Sequence, residues 1–456
     1  MMNSTPLANH GAGDPTAMTG PGRRLLLSLM AICFLAHFNR ISMSVAGDLR
    51  LMEQYQISPT KMGTVYSAFL VTYTLFMIPA GWLIDRRGVR FSLEVVCFGS
   101  AIFVLLTGCV SLVAESSAVA FGALVVIRAL MGITSAPLHP AAAKAVSVGI
   151  PVLRRSAANG LVTAAALLGV TATFVVFGAL IDWLDWPAAF VVAALATAAI
   201  GALWRRWAID EPLALVPPHP RFEERDRPIL LRSLRATETV PGGERGCRSF
   251  VRRNKNLLLL TGSYGAAGYI QYLFFYWMHY YFENILGLDA QQSRFYSAAA
   301  TLAMALGMAL GGWLSDRLES LFGWRVARAG LAISAMTASS GLVLLGITST
   351  EPLWTVTWLA LAMGVLGLAE GPFWVTAVEV GGQRGGLSAS ILNTGGNVGG
   401  ILAPVITPWL SDTLELGWQV GIAAGSGVCL LGAALWCGID LTPPAPRTGQ
   451  QPDEIR

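Results

Sequence analysis

Apolar residues in this chain do not alternate with polar ones or recur along a single helical stripe; they run on. From Arg24 to Asp440, largely apolar stretches follow one another with short polar breaks. About twenty such residues in a helix cross a hydrocarbon core of about 30 Å, whereas a helix in a water-soluble domain needs only one apolar face. The pattern predicts helices 1 to 6 over 24–47, 62–84, 91–113, 118–143, 156–182 and 186–208. Helices 7 to 12 follow over 256–285, 294–315, 326–348, 352–380, 386–411 and 416–438. Between helices 6 and 7 the chain is rich in Arg and Pro and has no sustained apolar period, which reads as a linker. The expected organisation is an N-terminal tail over 1–23, six-helix bundles over 24–208 and 256–440, a linker over 209–255 and a C-terminal tail over 441–456.

Composition agrees. Of the 456 residues 54% are hydrophobic and 13% charged, so lipid rather than water must cover most of the surface. An even number of spans puts both termini on one side. Arg23, Arg24, Arg86, Arg87, Arg90, Lys144, Arg317, Arg325 and Arg328 fall on that side, against Arg50, Lys61 and Arg294 opposite. The bias places the termini and the linker in the cytoplasm of a cell with an inner membrane. It also accounts for the net charge of +4 without nucleic acid as a partner. Helix 1 is long enough to span and lacks an A-x-A-like site, so it reads as a retained helix. The six cysteines have no metal-ligand spacing and are expected to form no disulfides; no metal or cofactor is expected.

The two halves echo each other. Gly81-Trp82-Leu83-Ile84-Asp85-Arg86 recurs as Gly312-Trp313-Leu314-Ser315-Asp316-Arg317, and Gly132 and Pro137 recur as Gly367 and Pro372. A duplicated six-helix unit explains both matches. The run from Gly81 through Gly88 to Arg90 resembles the G-x-x-x-D-R-x-G-R signature of the major facilitator superfamily. The resemblance implies an all-α membrane protein of twelve transmembrane helices in two pseudo-symmetric halves. Gly81, Asp85, Arg86, Gly88 and Arg90, with Asp316 and Arg317, are then expected to act as a conformational latch. Gly81 would permit close helix approach, and Asp85 would pair with a cation or cap a helix.

Within that superfamily the chain looks like the anion:cation symporter branch, which holds bacterial sugar-acid carriers and, more distantly, sialin and the vesicular glutamate carriers. His37-Phe38-Asn39-Arg40, Arg128 through Pro137, Glu370-Gly371-Pro372-Phe373-Trp374 and Asn393 through Gly400 carry this resemblance. Arg40 and Arg128 are the informative charges, because a cation inside a span is costly unless it faces a wet cavity or an anionic partner. Two guanidinium groups in one cavity favour a carboxylate or sulfonate. Arginines matching these positions line the substrate pathway of the branch. Many of its bacterial members carry an acid just before the helix 1 arginine and another seven residues after the helix 4 arginine. This chain has Asn39 and Ser135 there. Glu370, at the pseudo-symmetric counterpart of Ser135, is expected to take over proton coupling, with a static salt bridge or hydrogen bond as the competing role.

Asn39, Tyr269, Gln271, Tyr272, Trp374, Asn393 and Asn397 are candidate ligands for a polar, hydroxylated anion. Gly395, Gly396, Gly399 and Gly400 read as a small-residue face for close helix packing. His37 and His139 read as isolated packing histidines. The function expected is secondary active import of a small organic anion by proton symport, through a monomer. An uncoupled facilitator and an exporter are the nearest alternatives, and a solute sensor a more distant one. No nucleophile elbow, metal cluster or nucleotide loop supports an enzyme.

Overall fold

A computed structural model describes residues 20–150, 155–207, 254–381 and 385–440. Residues 1–19, the tail 441–456 and almost all of the 209–255 linker lie outside the described residues, and the last four residues of the expected N-terminal tail, Gly20 to Arg23, belong instead to helix 1. Every expected helix forms. Helix 1 is Gly20–Ala46, prolonged by the π turn Gly47–Leu51. Helices 2 and 3 are one run, Pro59–Val113, broken at Gly88. Helix 4 is Ser117–Ser135 continued by Leu138–Gly149. Helix 5 begins as Arg155–Ala172 and passes through the π turn Thr173–Phe177 into Gly178–Trp207, which turns into helix 6 at Asp185. Helix 7 is Lys255–Tyr280 with the π turn Tyr281–Ile285, and helix 8 is Ala290–Phe322. Helix 9 is Val326–Gly330 with Leu331–Thr348, and helix 10 is Pro352–Gly367 with Glu370–Gly381. Helix 11 is Gly385–Pro408 with Trp409–Thr413, and helix 12 is Trp418–Leu435 with Trp436–Gly438.

Among the described residues nine segments are individually long and apolar enough to cross a membrane, one of them, Ala158–Trp207, holding helices 5 and 6 together. Helices 7 and 11 fall below that threshold because Tyr, Gln, Asn and Gly replace aliphatic residues along them. The surface is apolar, as lipid requires: Ile78 is 86% and Leu112 81% exposed. The interior instead holds Arg40, Arg128, Asn39, Asn397 and His279. Polarity is inverted relative to a water-soluble domain.

The internal repeat is visible in the backbone. Gly88 (φ 78°) joins helices 2 and 3, and Gly323 (φ 81°) joins helices 8 and 9. These are left-handed conformations that only glycine adopts without strain. The fourth helix of each half is interrupted, helix 4 at Ala136 and Pro137 and helix 10 at Leu368 and Ala369, three residues before Pro372. Gly132 brings helix 4 onto the Phe69 carbonyl and Thr72 of helix 2, and Gly367 brings helix 10 onto the Met304 carbonyl and Met308 of helix 8.

The faces of the bundle are here called terminal, where residues 20 and 440 lie, and distal. Between the halves the described contacts concentrate toward the distal face. Thr60 and Thr413 share a hydrogen bond of 3.0 Å, and Ser67 donates to the Ile401 carbonyl at 2.7 Å. Arg294 of helix 8 bridges to Asp182 of helix 5 at 2.6 Å. Gly63 lies against the Pro404 carbonyl.

Backbone atoms stand where a side chain at Gly132 or Gly367 would go, whereas nothing lies within 4 Å of a Cβ at Gly122. Gly132→Val and Gly367→Val should therefore each cost about 1–3 kcal/mol and lower the melting temperature in detergent. Gly122→Val should leave it unchanged.

Candidate functional site

Arg40 sits on the buried face of helix 1, 8% exposed, and Arg128 on that of helix 4, 1% exposed. One Nη of Arg40 donates to the Tyr272 hydroxyl at 2.6 Å, which joins the N-terminal half to helix 7. Its guanidinium carbon lies 5.2 Å from the Phe69 ring centre, 5.9 Å from Tyr73 and 5.0 Å from Tyr272. Arg128 donates to the Arg40 carbonyl at 2.8 Å and approaches Met131 sulfur at 3.6 Å. It lies 5.0 Å from that same Phe69 ring. Phe69 is thus shared by two cations, each within the range where an aromatic quadrupole attracts a positive charge.

Among the described residues neither arginine forms a salt bridge, and the Nε of each has no hydrogen-bond partner. The Tyr276 hydroxyl adjoins both guanidinium groups without a hydrogen bond of good geometry. Its ring stacks on Tyr66 at 5.0 Å and on Tyr272 at 6.1 Å. Around these charges the described residues form an aromatic enclosure. Buried guanidinium groups with spare donors can offer an anion charge-assisted, directional and desolvated hydrogen bonds.

Glu370 begins the second segment of helix 10, just beyond the interruption. Its Oε1 accepts from the Tyr264 hydroxyl and from the Trp374 indole N–H, each at 2.7 Å. No arginine pairs with it among the described residues, so of the static roles weighed above only the hydrogen bond is present. The glycines of helix 11 explain the arrangement. Gly396 makes room for the Tyr264 ring and Gly400 for the Tyr272 ring, while Gly395 and Gly399 contact the carbonyls of Thr261 and Gly265. The small-residue face thus packs helix 11 onto helix 7 and sets the two tyrosines that reach Glu370 and Arg40.

Other candidates lie elsewhere. Asn39 turns into its own half and donates to Thr197 of helix 6 at 2.7 Å. Tyr269 shares a hydrogen bond of 3.0 Å with Thr407 of helix 11. Asn397 is buried, its amide 3.8 Å from Met77 sulfur across the halves. Gln271 and Asn393 are half-buried. In the signature loop, Arg86 lies 3.9 Å over the Trp82 ring, and Arg90 donates to the Arg205 carbonyl at 2.8 Å, tying helix 3 to helix 6. The side chains of Asp85 and Asp316 lie outside the described residues; Arg317 is exposed. Gly81 has nothing within 4 Å of an added Cβ, so close approach does not explain it here, whereas Gly88 is required by its left-handed φ.

Sequence reasoning missed Phe69, Tyr73 and Tyr66, which surround the arginines, because aromatic residues in apolar spans carry no signal of their own. It also treated His37 and His139 as isolated. Their rings meet edge to face at 5.2 Å, and His37 Nδ1 lies 3.0 Å from the Cys33 carbonyl.

A buried cation without a counterion costs stability, and an apolar replacement of similar volume removes that cost. Arg128→Met should fold and melt at or above the parent temperature in the absence of solute. A loss of more than about 3 kcal/mol in stability would mean that Arg128 is a structural element and not an unsatisfied one.

Residues 29–389 match the sequence profile described as Major Facilitator Superfamily. A relative from Cupriavidus necator described as "Probable sulfoacetate transporter SauU" is 26% identical, the match covering 86% of this chain and 87% of that protein. The D-galactonate transporter of Escherichia coli O6:H1 is 25% identical over 92% of this chain and 96% of its own. The hexuronate transporter of Bacillus subtilis is 23% identical over 91% and 92%. Among solved structures, a bacterial homologue of the human lysosomal transporter Spinster superposes with a TM-score of 0.72 at 15% identity, covering 92% of this chain and 97% of that one. The nucleoside transporter NupG gives 0.64 at 12% identity, covering 91% and 98%. The fold is the major facilitator fold, the protein is a membrane transporter and not an enzyme, and the resemblance to organic-anion carriers is borne out. The chain belongs to the Major Facilitator Superfamily.

Proposed function

We propose that this protein is a secondary active transporter that imports a small organic anion, a sugar acid or other carboxylate, by proton symport with alternating access. The observation that carries this reading is the pair of buried arginines with free donors and no acidic partner. Relatives named for galactonate, hexuronate and sulfoacetate support it, since all three are anions with additional oxygen functions. The exposed Arg86, Arg87 and Arg317 on the terminal face support cytoplasmic termini and an inner-membrane location. The distal face is then the outer one. Closure there corresponds to the state in which cargo exchanges with the cytoplasm. The boundaries 24–208 and 256–440 are the two rocking bodies, with the tails and the 209–255 linker cytoplasmic, and the transporter works as a monomer.

The cargo carboxylate takes the free Nε donors of Arg40 and Arg128. Tyr272, Tyr276 and, after rearrangement, the amides of Asn39, Gln271, Asn393 and Asn397 with Tyr269 and Trp374 serve its hydroxyls. Glu370 supplies the proton coupling. Ionised, it repels the incoming carboxylate through the low-dielectric interior; protonated, it does not, so proton and anion each favour the binding of the other. The latch residues of the signature loops hold the halves in register while this happens.

Reconstituted protein should take up D-galactonate, D-glucuronate or sulfoacetate into vesicles, faster when the outside is acid. Arg40→Ala and Arg128→Ala should each weaken binding ~10- to 100-fold, the worth of one charge-assisted hydrogen bond. Glu370→Gln should still exchange cargo between equal concentrations but lose accumulation driven by a pH gradient. Saturable uptake indifferent to both arginine substitutions would remove the anion assignment; uptake indifferent to pH would favour a facilitator.

A further inference from the structure

A second group of ionisable side chains lies at the distal face, separate from the arginines. Asp48 is in the π turn that ends helix 1, and its side chain is 0% exposed; His279 is in the last turn of helix 7, 1% exposed. His279 Nδ1 is 3.4 Å from Asp48 Oδ2 and 3.6 Å from Glu283 Oε2. Neither oxygen of Asp48 and neither nitrogen of His279 has a hydrogen bond of good geometry. Phe174 of helix 5 stacks over the imidazole at 6.5 Å. Asp48 belongs to the N-terminal half and His279 with Glu283 to the C-terminal half. Opening the distal face must pull them apart.

The neighbours set the charge balance. Arg294 and Asp182 bridge helices 8 and 5, Arg50 lies 3.7 Å from Asp185, and Asp289 caps helix 8 near Glu283. Tyr66 of helix 2 and Tyr280, itself beside Asp412, face Asp48. Among the described residues Asp48, Glu283, Asp182, Asp185 and Asp289 thus share Arg50 and Arg294 as permanent cations. A buried carboxylate beside a neutral imidazole is a poor arrangement in a low dielectric; one proton on either partner makes a compensated, hydrogen-bonded pair.

We propose that Asp48, His279 and Glu283 form a proton-binding site that closes the distal end of the transporter, distinct from the site at Arg40, Arg128 and Glu370. The inference rests on the alternating-access reading given above but not on the anion assignment. Shut, the Asp48–His279 pair holds one proton. Open and hydrated, the same two groups hold none at pH values above the ordinary histidine range near 6.5. The closed state therefore binds one more proton than the open one, and acid outside favours closure. The ratio of closed to open changes about tenfold per pH unit in that range. In an importer this makes outside acid drive the step that commits cargo to the cell.

The test needs no cargo. Spin labels at Glu115→Cys and Glu351→Cys, exposed distal positions in opposite halves, report the gap by pulsed dipolar spectroscopy in a background with Cys109, Cys247 and Cys437 replaced by serine. The short-distance population should grow as pH falls from about 8.5 to about 6.5. The double variant Asp48→Asn/His279→Gln, whose amides can pair without titrating, should keep both populations but lose the pH response. Asp182→Asn/Arg294→Gln should shift the balance and keep the response. A parent whose distances do not move with pH, or an Asp48→Asn/His279→Gln variant that moves as the parent does, overturns the proposal. Loss of anion uptake with the pH response intact would count against the function proposed above and not against this site.

Discussion

A guanidinium group cannot be left bare inside a membrane protein without a cost of several kcal/mol. This fold encloses two of them around one phenylalanine. Arg40 and Arg128 lie 5.2 and 5.0 Å from the Phe69 ring, and Arg128 donates to the backbone carbonyl of Arg40 itself. Rings and a carbonyl ease the burial without neutralising it. The remaining deficit lies where helices 1, 2, 4 and 7 converge. A lipid-facing shell of aliphatic residues surrounds a centre that is polar and electrically incomplete.

Much of this was legible in the chain. Uninterrupted apolar runs announce spanning helices because length alone distinguishes them from amphipathic ones, and all twelve form. Gly132 with Pro137 and Gly367 with Pro372 announced the duplication, and their close contacts with helices 2 and 8 give the reason for the repeat. The glycines of helix 11 were read as a packing face, and they pack on helix 7. Arg40 and Arg128 stood out because a cation within an apolar span has few bland explanations.

What escaped was whatever depends on partners from distant helices. Asn39 is adjacent to Arg40 in the chain, yet on a helix adjacent residues point about 100° apart, and it faces Thr197 instead. Tyr269 is one turn from Tyr272 but bonds to Thr407. Histidines at 37, 139 and 279 gave no pattern along the chain; two meet each other and the third meets Asp48 only when the helices are assembled. The aromatic enclosure was invisible for the same reason: phenylalanine and tyrosine in a spanning segment look alike whether they touch lipid, a neighbouring helix or a charge.

The row Gly396 and Gly400 has a consequence for how such a transporter changes its selectivity. Each glycine is the floor beneath one tyrosine ring, and one ring reaches Glu370 while the other reaches Arg40. An acid and a base on opposite halves are therefore indexed to a single helix, so a small axial slip of helix 11 displaces both at once. On the roles proposed for Glu370 and Arg40, substrate preference and proton stoichiometry become linked traits, and a mutation in that helix that never meets cargo alters the two together.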